Sequence, residues 1–539
     1  MAPGGACHSG AVRTHGGPGP IRVPRPAAVG AGRLSAPVVV LALVLGACSP
    51  AGRPGAAAPT SATTTSAPTT TTSAPTTTTT TVPVPPVAPV QWTSCGSLQC
   101  ATVAVPLDYA DPGRGMIQIA LSRHPADDPA ERIGSLVINP GGPGGSGIDD
   151  LPDELRVLTP ELLDRFDIVS FDPRGVERSS PVLCGANGGS STSTPGPLPD
   201  PVPTTAAAQQ ALFANDRAYA QQCEEHSGAV LPFVGTVDTA RDLDRIRQAL
   251  GDTKLTFIGH SYGTLLGATY AQMFPANVRA MVLDGAIDPA MGTDQMVIEQ
   301  AEGFEGVLGQ FFSWCASTGC AWRGGGDPTA ALLGLVDQSR QRPIPAGGSR
   351  TAGPGELYDA VLDSMYSTSS WPSLANALAA AAAGNGAPVV ALADSYLTFN
   401  GSNAVDAETA IDCLDHPVST DLSSYPALAL QAAVDAPVFG PLFAWGIVGC
   451  AVWPVPPTRT PAPATAVGSA PILVTGATGD PATPYSWAQN LASELQHGVL
   501  LTWRGNDHVA YYYSACVRAA DQAYLIQGTL PAPGTVCSD

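Results

Sequence analysis

Residues 254–268 narrow the fold more than any other stretch. Lys254–Ile258 is a short apolar run of strand type, Gly259-His260-Ser261-Tyr262-Gly263 follows it, and a helical pattern opens near Thr264. A G-x-S-x-G segment joining a strand to a helix holds its serine on a sharp turn with no space for neighbouring side chains, which is why glycines flank it. The turn exposes the Ser261 hydroxyl and aims the positive end of the helix at charge developing beside it. Gly and Ser are abundant in this chain, so the pentapeptide alone is a weak signal. The strand before it and the helix after it carry the argument against an ordinary tight turn.

Around this segment, apolar strand-like runs alternate with helical stretches, the mark of a parallel α/β sheet. Ile117–Ser122, Gly134–Asn139, Phe166–Phe171, Ala280–Leu283, Ile472–Thr475 and Val499–Trp503 read as further strands, and Thr236–Leu250 has helical spacing. Gly185–Thr205, rich in Gly, Ser and Pro, reads as a surface loop. Between Gly285 and about Ala470 the strand rhythm stops and alanine-rich helical stretches such as Gly355–Tyr366 and Leu374–Ala383 take over. An insertion of that size between two strands of one sheet reads as a lid. The expected organisation is a core in two parts, 91–285 and 466–539, with a helical lid at 286–465.

Before position 91 the sequence reads as export machinery. Pro37–Ala47 (PVVVLALVLGA) follows four arginines and is too short to cross a hydrocarbon core, which needs about 20 residues. Leu45-Gly46-Ala47-Cys48 resembles the lipobox of bacterial lipoproteins, with Cys48 the lipidated residue. The alternative is ordinary cleavage near Ala47, with Cys48 incidental. Residues 1–47 are therefore expected to be a signal, unusually long ahead of its apolar run, and 48–90, rich in Thr and Pro, an extended stalk.

Composition restricts the partners. The first 90 residues hold five arginines and no acid, which leaves 20 basic against 45 acidic side chains in the rest, a formal charge of −25. Such a surface repels phosphate backbones, so nucleic acid is excluded as a partner. Membrane contact is expected only through the N-terminal anchor, and the body is expected to be a monomer. Ten cysteines lie beyond the leader, without a CxxC or His-rich pattern that would suggest a metal, so disulfides in an oxidising compartment are expected. The simplest connectivity of many joins sequence neighbours: Cys95 with Cys100, Cys184 with Cys223, Cys315 with Cys320, Cys413 with Cys450, and Cys516 with Cys537.

A serine hydroxyl needs a base, and in a fold of this kind acid and histidine follow the serine at the ends of later strands. His8 and His15 lie in the leader, His124 and His226 precede the serine, His260 sits beside it, His416 falls in the insertion and His497 looks helical. His508 alone opens a loop after a late strand, within Gly505-Asn506-Asp507-His508. Asp480, in the loop after Ile472–Thr475, is the leading acid. Asp507 is weaker because neighbouring loop residues rarely face each other, and Asp284 and Asp288 are third choices at the end of an earlier strand. Asn139-Pro-Gly-Gly-Pro-Gly-Gly145, after a buried strand, would supply one backbone N–H to an oxyanion and Tyr262 the other. A phosphate-binding reading of that loop fails for lack of GK[ST] or a G-x-G-x-x-G on a helix.

Taken together, NPGGPGGSG (139–147), DPRGVERSS (172–180), GHSYGT (259–264), GDPATP (479–484) and GNDH (505–508) resemble the α/β-hydrolase family of prolyl iminopeptidases and, more closely, secreted actinobacterial tripeptidyl aminopeptidases. The resemblance implies a Ser261–Asp480–His508 triad, an oxyanion hole from the Gly142 and Tyr262 N–H groups, and no cofactor or metal. Three positions depart from the pattern. Pro140 stands where many prolyl iminopeptidases have histidine, Glu177 where the DPRGxGxS motif has glycine, and Asp507 where glycine usually precedes the histidine. A carboxylate at 507 would either act on the histidine by charge proximity or face solvent.

An aminopeptidase must also hold a free ammonium, which calls for a carboxylate in the lid. Glu299, Glu302 and Glu305 share one helical stretch, and Asp412 and Asp415 flank Cys413 in AIDCLDH. Asp415, then Glu302, is the expected partner, against the plainer reading that all five are solvated. Trp314, Trp371, Phe443 and Trp445 either line the cleft or form core. The expected activity is release of short peptides, tripeptides above all, from a free N-terminus by a cell-surface lipoprotein or secreted enzyme. The alternatives are a secreted esterase or lipase with the same triad and a non-catalytic binding protein, which would have lost a triad member.

Overall fold

A computed structural model describes residues 84–191, 197–322, 324–398 and 401–539. The signal, Cys48 and the stalk up to residue 83 lie outside the described residues.

Ten strands form one sheet: β1 (Thr93–Cys95), β2 (Leu98–Pro106), β3 (Met116–His124), β4 (Gly134–Asn139), β5 (Phe166–Phe171), β6 (Leu255–His260), β7 (Val278–Asp284), β8 (Ile472–Ala477), β9 (Gly498–Trp503) and β10 (Val536–Cys537). Their order is β1-β2-β3-β5-β4-β6-β7-β8-β9-β10. The first three strands and the β3–β5 pair are antiparallel. From β5 through β10 every pair is parallel. The chain reverses direction of travel along the sheet at β4, so the loops after β4 and β6 open side by side at the carboxyl edge, where such sheets place their sites.

Helices cover both faces. On one lie α1 (Gly147–Val157) and, far along the chain, Ala515–Gln527; on the other lie α2 (Thr236–Ala249) and α3 (Tyr262–Met273). Alternate residues of each central strand feed the two layers. Phe257 and Met281 pack with Leu243, Ile246 and Leu266, while Ile258 and Val282 pack with Leu151, Val517 and Leu525. Continuous burial of β4 through β8 explains why these strands read as unbroken apolar runs, and each large side chain so buried contributes about 1.5–3 kcal/mol.

Between β7 and β8 the regular structure of the described chain is helical except for a two-stranded ribbon, Ile344–Pro345 with Thr351–Ala352, and residues 453–471 lead into β8 as irregular chain. The elements used below are α4 (Thr293–Thr318), α5 (Pro354–Met365), α6 (Ala404–Asp415) and α7 (Phe439–Gly446). This insertion has its own core, including Phe304, Phe311, Leu357, Leu374, Phe439 and Leu442. The tryptophans join it: Trp314 and Trp371 pack on Phe311 and on each other, and Trp445 meets Phe213. Among the described residues no helix is long and apolar enough to cross a membrane.

All ten cysteines pair with their sequence neighbours, as the spacing suggested. Five such bonds fit an extracytoplasmic, oxidising compartment.

Candidate active site

Ser261 follows directly on β6 and caps α3 with φ 53° and ψ −121°, a conformation L-residues adopt only under constraint. The flanking glycines are sterically required. A Cβ on Gly259 would lie 2.2 Å from the Gly263 carbonyl oxygen, and one on Gly263 would lie 2.6 Å from that of Asn139. The Ser261 N–H donates to the Asp284 carbonyl at 2.9 Å, so β7 fixes the turn from one side. The glycine loop after β4 closes in from the other: a Cβ on Gly141 would lie 3.0 Å from Ser261 Cβ. Gly141 is thus the residue that abuts the serine, and the Gly142 amide follows it. The Tyr262 N–H, at the first position of α3, has no partner inside its helix.

Across the turn, the His508 Nδ1 lies 2.9 and 3.0 Å from the two Asp480 carboxylate oxygens. Asp480 is itself fixed by the N–H groups of Ala482 and Thr483, at 3.0 and 2.9 Å. A carboxylate on Nδ1 leaves Nε2 as the basic nitrogen. Nε2 is buried and has no hydrogen-bond partner among the described residues, the Ser261 hydroxyl included. The imidazole lies against the end of β7, since a Cβ on Gly285 would meet His508 Cε1 at 3.1 Å. Asp480 and His508 are therefore joined and sit beside the Ser261 turn, while the serine–histidine bond is open. Such bonds commonly close only with substrate in place.

Asp507 is neither the triad acid nor a solvent-facing carboxylate. It is buried, and its Oδ1 accepts from the Thr368 N–H at 2.6 Å and from the Ser367 and Thr368 hydroxyls at 3.0 Å each. With the His508 N–H donating to the Tyr366 carbonyl at 3.0 Å, it ties the histidine loop to the insertion just after α5. The Tyr366 ring stands edge-on to the imidazole, with centroids 5.5 Å apart.

Glu177 acts similarly on α6. Held at φ 37°, it accepts from the Ser402 and Asn403 N–H groups, while Asn403 donates to the carbonyls of Gly175 and Val182. Two acids of α6 itself are spent on the core. Asp406 accepts from Ser191, Cys184 and Tyr219. Asp415 is fully buried and accepts from the Thr236 N–H and hydroxyl at the start of α2, and the Tyr262 hydroxyl completes that chain at 2.5 Å from Thr236 Oγ1. Burial pushes Asp415 up to about 6, against the pull of Thr236 and Arg459.

Asp415 therefore has no free oxygen pair to offer an ammonium, and the expectation placed on it gives way to this structural role. Glu302 is exposed on α4 and is raised by burial and by Asp435 and Glu299. Glu299 takes the Trp487 indole N–H, and Glu305 takes the Val438 and Phe439 N–H groups at the start of α7.

The acid that sequence reasoning missed is Glu408. It lies on α6, and a Cβ on Gly144 would be 2.7 Å from its backbone nitrogen, so this turn of helix packs directly on the glycine loop. Its carboxyl is half-buried and pushed up to about 7 by burial alone, with no hydrogen bond or ion pair among the described residues. Its charge is felt at Tyr366, the tyrosine against His508, and at Asp412 one turn on. The available signal was its position, one helical turn before the acid pair of AIDCLDH.

A family model described as TAP-like protein matches residues 436–537. The chain is 37% identical over 481 residues to serine protease Hip1 of Mycobacterium tuberculosis, covering 83% of this chain and 91% of that protein. The chain belongs to this TAP-like α/β-hydrolase family. Carboxylesterase B of Mycobacterium tuberculosis is 34% identical over 486 residues, 84% of this chain and 91% of that one. Tripeptidyl aminopeptidase of Streptomyces lividans is 33% identical over 476 residues, 84% of this chain and 87% of that one. Family membership and the α/β-hydrolase fold agree with the sequence motifs; the activities named for these relatives differ among themselves.

Proposed function

We propose that this TAP-like protein is a serine exopeptidase that releases short peptides, tripeptides above all, from the free N-terminus of peptides or proteins. The observation that carries the proposal is the juxtaposition of two features at one glycine loop: the Ser261 turn beside the Asp480–His508 pair, and the unpartnered Glu408 carboxyl. An acyl-transfer centre alone is indifferent to its substrate's ends; a half-buried carboxylate without a partner next to it selects a cation.

In this reading the substrate ammonium pairs with Glu408, with Asp412 as a second acid behind it, and the scissile carbonyl lies over Ser261. His508 Nε2 takes the serine proton as the hydroxyl attacks, and Asp480 holds the imidazole and stabilises its cation. The Gly142 and Tyr262 N–H groups receive the oxyanion, each such donor contributing about 3–4 kcal/mol to transition-state stabilisation. His508 then protonates the leaving amine, and water activated by the same nitrogen frees the acyl group. The helical insertion acts as lid, and the chain functions as an exported monomer, held at the cell surface through Cys48 or released.

The carboxylesterase relative favours a second reading, in which the same triad cleaves esters and Glu408 is incidental. Tripeptide p-nitroanilides with free and N-acetylated amines separate the two. The peptidase reading expects fast turnover of the free amine only, abolished in Ser261→Ala, and equal turnover of both would overturn it.

A further inference from the structure

The loop that carries His508 contains a conflict. Val509, the next residue, has φ 64°, in a region that β-branched side chains avoid. A strained residue beside an imidazole needs its neighbours to be held, and one side chain does so. The buried Asp284 carboxylate accepts from the Ala510 N–H at 3.2 Å and the Tyr511 N–H at 2.7 Å, immediately past the strained position. The same residue's carbonyl accepts the Ser261 N–H at 2.9 Å. Gly285, next in the chain, lies against both the His508 ring and Val509.

We propose that Asp284 is a positioning residue that sets the nucleophile and the base in register, its main chain anchoring the Ser261 turn and its carboxylate anchoring the backbone beyond His508. The inference rests on the triad reading above. Asp284 does not touch His508 or substrate, so its effect runs through geometry.

The surroundings fit a group kept for its charge. His260, buried under the serine, faces Asp284 and the Glu154 carboxylate, whose Oε1 lies 3.6 Å from His260 Nε2. Burial opposes charge on both members of the His260–Glu154 pair, yet their attraction prevails, raising His260 and lowering Glu154. Asp480, Asp521, Tyr511 and Tyr512 complete the groups whose charges act with Asp284. Burial pushes Asp284 up to about 6, against the pull of His260 and the two N–H groups. A neutral amide of the same shape would avoid that desolvation, but the two N–H groups bond to different carboxylate oxygens, so Asn would set an NH2 donor against one of them.

The test is Asp284→Asn in the full chain, with kcat and KM on a free tripeptide anilide expressed per folded molecule from near-ultraviolet circular dichroism. One amide oxygen replaces two carboxylate oxygens, so kcat is expected to fall about 10- to 100-fold while KM stays within about twofold, as a misplaced catalytic group requires. Labelling of Ser261 by a small fluorophosphonate, which needs the base but not the amine subsite, is expected to slow by the same factor. Unchanged kcat per folded molecule, or a loss confined to KM, would overturn the inference. Should the Asp284→Asn variant not fold, Ala510→Pro removes one of the two donors at the first residue of the short helical turn Ala510–Tyr512, a position that accepts proline. A several-fold loss in kcat alone supports the inference and unchanged kcat rejects it. An active Ser261→Ala variant would instead remove the triad reading on which it depends.

Discussion

Replacing Glu408 by Gln tests the amine-binding site most sharply, because shape is kept and only the charge goes. The wild-type carboxyl, raised to about 7 by burial, is roughly half ionised at neutral pH. An ammonium can pair only with the ionised form, so at pH 6 binding must first remove a proton at a cost of about 1.4 kcal/mol. Removing one member of a desolvated charge pair costs about 2–5 kcal/mol. Glu408 is half-buried rather than sealed, so the lower part of that range applies, about 2–3 kcal/mol, or roughly 30- to 150-fold in kcat/KM. The assay is initial p-nitroaniline release from a free tripeptide anilide and its N-acetyl counterpart from pH 5 to 9. The ratio of the two removes the His508 contribution, which is common to both. In the wild type that ratio rises with pH through about 7 as Glu408 ionises, then falls as the substrate amine, with a typical pKa of about 7.7–8.0, loses its proton. In Glu408→Gln the rise disappears and the ratio drops by the full factor. A ratio unchanged by the substitution refutes the assignment.

Three further outcomes follow from the structure. Burial raises Asp359 to about 8, Asp216 to about 7, and Asp284, Asp363 and Asp415 to about 6. Each folded-state value lies above its unfolded one, so the stability these groups contribute is present in acid and lost as pH rises from about 4 to 8. Melting by circular dichroism is therefore expected several degrees higher at pH 5 than at pH 8, and the reverse order contradicts this. Arg174, buried with Asp242 at 2.6 Å, also donates to the carbonyls of Pro106, Leu107 and Phe233. Asp242→Ala leaves that cation unpaired and should lower unfolding free energy by about 3–5 kcal/mol in denaturant titration. Glu177→Gly removes the acceptor at the start of α6, and its effect should appear in KM for free tripeptide more than in kcat, because α6 carries Glu408.

Much of the fold is readable in the residues. The parallel strands β4 through β8 are buried on both faces, so they announce themselves as apolar runs. The motif residues announce themselves through steric need, as at Gly259 and Gly263. The β1–β2 hairpin escapes such a reading because Leu98–Pro106 is half exposed at the sheet's antiparallel end and alternates weakly. The long helix Ala206–Ser227 is equally silent, its faces poorly separated by alanine and glutamine.

The acids are the hardest to assign, for a definite reason. On α6 the sequence offers Asp406, Glu408, Asp412 and Asp415 as equivalents. Only tertiary contacts distinguish an acid spent on Thr236 from one left without a partner beside the glycine loop. Asp507 and Glu177 depart from the family pattern for the same kind of reason, each binding backbone N–H groups of the insertion across more than a hundred residues of chain.

The central claim is that Ser261 is a nucleophile activated by His508. Its most direct test is peptide-mapping mass spectrometry after treatment with a tripeptidyl phosphonate ester bearing a free amine. The account predicts a single phosphonyl adduct on Ser261 in the wild type and almost none in His508→Ala. An adduct on another residue, or undiminished labelling of Ser261 without the imidazole, would contradict it.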